Sequence, residues 1–253
     1  MTDMQSEKWE HAHDSLEYNK LYHLNVDKEY FLKFSKNPVY QKIQALKKEN
    51  LNILEVGCGS GSLSVSLALQ GHSVTTLDIS EHMLAAAKQL ADQASKLFEM
   101  NLFLRFIKGD IHDLSPYAHQ YDIVINIALL QIWDDPKERT QLLKNLGSCL
   151  KNDGQLFVSI TNTTNPFLKL IPIKSLVHDT AKCSMKTILQ EVSNAKLNCI
   201  SSEYLGLSET FDQWLRFKFL TYPLLLANLF FLHLPKSLQA LCAPHSLVIA
   251  KRK

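Results

Sequence analysis

The chain has 253 residues, 46% of them hydrophobic and 21% charged, with a formal net charge of +2. This fits one large domain, or one domain with an appended lid, and supplies enough apolar residues for a sizeable core. The small charge and the lack of a basic stripe, apart from Lys251-Arg252-Lys253, speak against a nucleic-acid partner.

Residues 1–26 are polar and aromatic, with Trp9, His11, His13, Tyr18, Tyr22 and His23. Residues 27–49 read as helical: Tyr30, Phe31 and Phe34 recur at helical spacing, Pro38 breaks the run, and Tyr40, Ile43 and Leu46 resume it. The apolar run Asn52 to Val56 reads as a strand, and Leu63 to Leu69 as a helix. Val74 to Leu77 is a second strand ending at Asp78, and Ser80 is a good N-cap for a helix to about Phe98. Strands follow at Leu102 to Ile107 and at Tyr121 to Ile127, the latter apolar enough to be buried on both faces. Pro136 to Leu150 reads as a helix closed by a turn at Asn152-Asp153-Gly154, with Gln155 to Thr161 the next strand. A helix over Ser184 to Ala195 and strands over Leu197 to Leu205 and Ser246 to Ala250 complete the chain. Such alternation predicts an α/β fold, a mostly parallel sheet with helices on both faces. Residues 162–181 and 206–242 fall outside the alternation and read as lid insertions. The expected division is a helical cap over 1–49 and one catalytic domain over 50–253.

The strand-loop-helix at Glu55-Val56-Gly57-Cys58-Gly59-Ser60-Gly61 carries the chemistry. Glycines let the chain turn sharply and let a ligand touch the backbone at a helix N-terminus. Asp78 lies 17 residues past Gly61, at the end of the second strand, where a carboxylate can accept both hydroxyls of a ribose. The dinucleotide pattern G-x-G-x-x-G would need glycine where this chain has Ser62.

The run E-V-G-C-G-S-G-S-L resembles the class I S-adenosylmethionine-dependent methyltransferases, in the branch of the ubiquinone- and menaquinone-biosynthesis enzymes. The resemblance implies a Rossmann-like seven-stranded sheet and S-adenosylmethionine as cofactor. It implies that Glu55 and the backbone of Gly57, Gly59 and Gly61 surround the cofactor's amino and carboxylate groups. Asp78 would hold the ribose, and Ile79 and Met83 would pack on the adenine. Asp110 and Ile111 would sit beside the adenine amino group, and Asn126 under the sulfonium. Residues 128–136 look like the family's active-site rim, with Gln131 where relatives often carry Glu or His.

Methyl transfer is an in-line displacement in which positioning can supply ~7–11 kcal/mol, and a base is needed only if the acceptor must first lose a proton. Tyr22, His23 and His178 are the candidates for that base, in two segments that border the acceptor pocket by resemblance. Cys58 reads as a small loop filler. Residues 217–234 hold 16 consecutive uncharged residues from Phe219 to Leu234, interrupted by Pro223. That is short of the ~20 residues that cross a membrane, so a lid over an apolar acceptor and a helix resting on a membrane surface both stay open. Five widely spaced cysteines without a C-x-x-C pair, and a polar start without a signal-like stretch, point to a reducing cytoplasm and no metal. The leading expectation is a small-molecule methyltransferase for a lipid, quinone or polyketide-like acceptor. A macromolecular methyltransferase, a cofactor-binding scaffold without turnover and a nicotinamide oxidoreductase are the alternatives. Oligomeric state is not legible.

Overall fold

A computed structural model describes residues 26–162, 183–205 and 233–253, apart from 237, 240–242 and 244. In chain order the elements are α1 (Lys28–Phe34), α2 (Pro38–Ala45), β1 (Asn52–Val56), α3 (Ser62–Ala68), β2 (Ser73–Asp78), α4 (Glu81–Phe98), β3 (Leu104–Lys108), β4 (Tyr121–Ile127), α5 (Pro136–Ser148), β5 (Leu150–Thr161), α6 (Met185–Asn194), β6 (Leu197–Leu205) and β7 (His245–Arg252). The strands form a seven-stranded sheet in the order β3-β2-β1-β4-β5-β7-β6. Pairing is parallel between β1 and β2, β1 and β4, and β2 and β3, and antiparallel between β6 and β7. This is the mostly parallel arrangement that the alternation predicts, with the seven strands and Rossmann-like order that the resemblance implies.

The chain divides into two compact units, residues 1–127 with 145–156, and residues 128–144 with 157–253. In the first unit β1 and β4 are buried along nearly their whole length, as strands covered on both faces must be. The sequence order reverses between β1 and β4, and α/β sheets bind ligands at the carboxyl edge of such a switch point. Ser80 caps α4, accepting from the amide of Met83 at 3.3 Å, and the helix buries Met83, Leu84, Ala87, Leu90, Ala91 and Ala94. Asn37 caps α2 by accepting from the amides of Val39 and Tyr40, and Pro38 opens it. Pro38 therefore separates two short helices, because its ring fixes a helix start and cannot continue one. Phe31 docks α1 on Val65, Leu90, Ala91 and Ala94, edge-to-face with Phe98 at 5.5 Å between ring centroids.

One expectation fails in this unit. Asn152-Asp153-Gly154 is not a turn but part of β5, which begins at Leu150. The amides of Gln120 and Tyr121 bond to the carbonyl of Cys149, and Lys151 Nζ lies 2.9 Å from both oxygens of Asp122. A Cβ at Gly154 would stand 2.9 Å from the carbonyl oxygen of Tyr121, so glycine serves close backbone approach here rather than a bend.

In the second unit Gln131 locks the end of β5. Its Nε2 donates to Thr161 Oγ1 at 2.8 Å, and its Oε1 accepts from the Thr161 amide at 3.0 Å. Both ends of that side chain are engaged within the protein. Arg139, 2% exposed, donates from Nη2 and Nε to the Glu191 carboxylate at 2.5 and 3.1 Å, and from Nη1 to the carbonyls of Trp133 and Asp134 at 2.6 and 3.0 Å. The rim segment is thereby tied through α5 to α6. β6 and β7 form the antiparallel pair, with a bulge between Cys199 and Ser201.

Breaking a buried ion pair on one side strands the other charge. Glu191→Ala is expected to cost about 3–5 kcal/mol in urea unfolding, whereas Arg139→Met with Glu191→Leu recovers most of that loss. A single substitution as mild as a surface change would contradict the pairing.

Candidate cofactor site

The glycine loop joins the carboxyl end of β1 to α3. Gly57, Gly59 and Gly61 all have positive φ, at 74°, 52° and 74°. A Cβ at Gly61 would lie 2.6 Å from the Cβ of Ala87, so α4 presses on this residue and no side chain fits. A Cβ at Gly59 would meet nothing within 4 Å, so the loop is open on that side. The amides of Gly57 and Cys58 point to the carbonyl of Leu77 at 2.8 and 3.4 Å, and the amide of Gly61 to that of Cys58 at 3.0 Å.

Asp78 joins this loop directly. Its Oδ2 accepts from the Gly59 amide at 2.9 Å and its Oδ1 from the Ser80 amide at 3.0 Å. The sequence placed Asp78 near the loop as a ligand residue but did not foresee that it also fastens the loop. Each carboxylate oxygen carries two lone pairs, so these bonds leave acceptor positions on both. Burial pushes its pKa up, against the pull of the backbone bonds from Ser80, Gly59 and Ile79.

Glu55, on β1, is 4% exposed and accepts a short hydrogen bond from the Ser64 hydroxyl. Burial first, with the charge of Asp78 adding to it, pushes the carboxyl up to about 7 in spite of the Ser64 bonds. Among the described residues no Lys or Arg forms an ion pair with Glu55 or Asp78. The Ser64 partner is one the sequence reading missed; serines at 62, 64 and 66 inside an otherwise apolar helix were the available signal. A chain of hydroxyls runs beside it, with Tyr30 and Ser62 2.6 Å apart and Ser60 and Ser62 3.2 Å apart. It links α1 to the loop.

Asn126, at the end of β4, is fully buried and donates from Nδ2 to the Val56 carbonyl at 3.0 Å. Its Oδ1 has no hydrogen-bond partner among the described residues. A buried acceptor left unpaired is costly, so its presence at the switch point marks a place where a donor or positive group belongs. Ile79 is half-buried, Met83 is 2% exposed and Ile111 5% exposed. Asp110 follows β3 and accepts at Oδ1 from the amide of His112. Cys58 is buried, and burial together with Glu55 and Asp78 drives its thiol far up, so it stays protonated. Tyr22, His23 and His178 lie outside the described residues.

Two outcomes follow from this geometry. Gly61→Ala combines a left-handed backbone with a clash against α4, and should destabilise the protein by about 2 kcal/mol or more in urea unfolding; an unchanged midpoint would contradict the loop's packing. Glu55 binds more protons folded than unfolded between its ordinary value of 4.5 and about 7. Its contribution to stability is therefore greatest below that window and is lost as pH rises through it. Wild type measured against Glu55→Gln should lose about 3 kcal/mol across this window, and a flat difference would mean that Glu55 ionises normally.

A family model described as "Methyltransferase domain" matches residues 54–158. The ubiquinone biosynthesis O-methyltransferase of Coxiella burnetii is 32% identical over 158 residues, which span 54% of this chain and 64% of that protein. The mitochondrial ubiquinone biosynthesis O-methyltransferase of Dictyostelium discoideum is 32% identical over 137 residues, 52% of this chain and 40% of its own length. The match thus covers less than two thirds of either relative. Among solved structures, magnesium protoporphyrin IX methyltransferase from Synechocystis PCC 6803, with bound SAH, has a TM-score of 0.64 at 17% identity, over 98% of this chain and 99% of that one. That last likeness is one of fold. Residues 54–158, the stretch that carries the glycine loop, Asp78 and Asn126, are thus similar to a methyltransferase domain and to the ubiquinone biosynthesis O-methyltransferases.

Proposed function

We propose that the chain transfers a methyl group from S-adenosylmethionine to a small-molecule acceptor. The observation that carries this reading is electrostatic. Glu55 and Asp78 are two buried carboxyls at the carboxyl edge of the sheet, without a described cation to pair with either. Asn126 adds a buried, unpartnered acceptor oxygen. Such an acceptor set suits a ligand bearing an ammonium and a sulfonium, and repels the pyrophosphate of a dinucleotide.

The residues present fit the cofactor. Asp78 has acceptor positions left for ribose hydroxyls, and the open side of Gly59 leaves room for a ligand against the backbone. Glu55 and the loop would face the amino-acid end, Asn126 the sulfonium side, and Asp110 the adenine amino group. Ile79 and Ile111, with Met83 beneath, would form the apolar wall. When bound, the cofactor supplies an electrophilic methyl group on a charged sulfur. The protein's own task is to hold the acceptor in line with it and to exclude water.

The relatives' name points to a phenolic oxygen on a quinone precursor as the acceptor class. The apolar residues 217–234 suit such an acceptor, either as a lid or by resting on the membrane that holds it; 217–232 lie outside the described residues. No helix among the described residues is long and apolar enough to cross a membrane. The segment 1–49 and the insertions at 162–181 and 206–242 would close over the acceptor, and Tyr22, His23 and His178 remain the candidates for its base. A cytoplasmic setting accords with the five cysteines.

Calorimetry tests the cofactor. S-adenosylmethionine and S-adenosylhomocysteine are expected to bind, and NAD is not. Asp78→Asn should weaken the binding of both by about tenfold or more, through lost charge-assisted bonds to the ribose. Binding of NAD alone, or an unchanged affinity in the variant, would overturn the assignment.

A further inference from the structure

We infer that His112 is a positioning residue for purine specificity: it fixes the Asp110 carboxylate so that the site accepts a 6-amino purine and rejects a 6-oxo purine. The inference rests on the reading of this unit as an S-adenosylmethionine site.

The turn after β3 is tied down on both sides. The Gly109 amide donates to the Asp78 carbonyl at 3.0 Å, and a Cβ at Gly109 would stand 2.9 Å from Leu77 Cδ1. On the other side Asn145 Nδ2 donates to the carbonyls of Ile111 and His112 at 3.2 and 3.0 Å. The Asp113 amide closes the turn onto the Asp110 carbonyl at 3.0 Å. The backbone is therefore set, and the side-chain torsion of Asp110 is held by the carboxylate's own hydrogen bonds.

His112 supplies two of these contacts. Asp110 Oδ1 accepts from the His112 amide at 3.0 Å and faces His112 Nδ1 at 2.7 Å. A carboxylate only accepts, so Nδ1 carries the hydrogen in this pair. Two donors on one oxygen, one of them on a ring, fix the carboxylate plane more firmly than the backbone amide alone. Burial raises the pKa of Asp110, but the amide, the ring bond and the charge of His112 bring it below its ordinary value. The group is an ionised acceptor at neutral pH.

The chemical consequence is discrimination. A fixed, ionised carboxylate receives a 6-amino group as a donor. Against a 6-oxo group it meets a second acceptor, and a polar site built for one partner rejects the analogue that cannot complete its hydrogen bonds. A carboxylate free to rotate would turn away from the oxo group and lose most of that selectivity. His112 acts through Asp110 and need not touch the ligand.

The test is calorimetry of S-adenosylhomocysteine and its 6-oxo counterpart, S-inosylhomocysteine, on wild type, His112→Ala and His112→Asn. Alanine keeps the backbone amide bond to Asp110 and removes only the ring, so the variant isolates the ring's part. Wild type should prefer the amino ligand by about tenfold or more, and His112→Ala should reduce that preference by about tenfold, with His112→Asn restoring much of it through its side-chain N–H. An unchanged ratio in His112→Ala, or equal losses for both ligands, would overturn the inference and leave the cofactor assignment standing. If wild type binds neither ligand, the cofactor assignment falls and the inference with it.

Discussion

One hydrogen bond organises the site: the amide of Gly59 given to the carboxylate of Asp78. It joins a loop that has three residues at positive φ to the end of the neighbouring strand. Such a loop is entropically expensive, since glycine loses more freedom on folding than any other residue. The bonds of Gly57 and Cys58 to Leu77, the contact of Gly61 with Ala87 and the grip of Asp78 on Ser80 all hold it. Asp78 thus connects β1, β2 and the start of α4 in one place. Any ligand that rests on the loop rests on a surface set before it arrives, which lowers the ordering cost of binding.

Charge supplies the second constraint. Glu55 and Asp78 are buried acids, the charge of Asp78 adds to the cost of ionising Glu55, and burial drives both toward the neutral form. A folded protein carries such a site when a cation completes it, because an unpaired buried charge is otherwise replaced or neutralised. This links the loop's geometry to a preference between ligands that share adenosine. A positively charged sulfonium compound would relieve the cost on the carboxyls, and an anionic dinucleotide would add to it. Fold alone would not separate them, since similar sheets bind both.

Much of this was legible in the sequence because it is local. The strand-loop-helix around Gly57, the acid at the end of β2 and the Ser80 cap depend on residues a few positions apart. The strand over Leu197–Leu205 was read to the residue. What escaped depends on distant partners. Asn152-Asp153-Gly154 has the composition of a turn, yet the approach of Tyr121 draws it into a strand. Arg139 and Glu191 stand 52 positions apart, and an arginine on an amphipathic helix gives no hint that it is buried. Ser64 on Glu55 and His112 on Asp110 are side-chain geometries that spacing does not encode. The acceptor-side candidates at Tyr22, His23 and His178 stay where the sequence left them, outside the described residues.

The central claim is that the carboxyl edge of β1, β2 and β4 receives S-adenosylmethionine with its positive end at the buried acids. A crystal structure of the full chain with S-adenosylhomocysteine tests it most directly. The account predicts the ribose hydroxyls on Asp78, the adenine between Ile79 and Ile111 with its amino group toward Asp110, and the amino-acid end over the glycine loop. A ligand bound elsewhere on the chain, or one bound here in the reverse direction with adenine at Glu55, would contradict it.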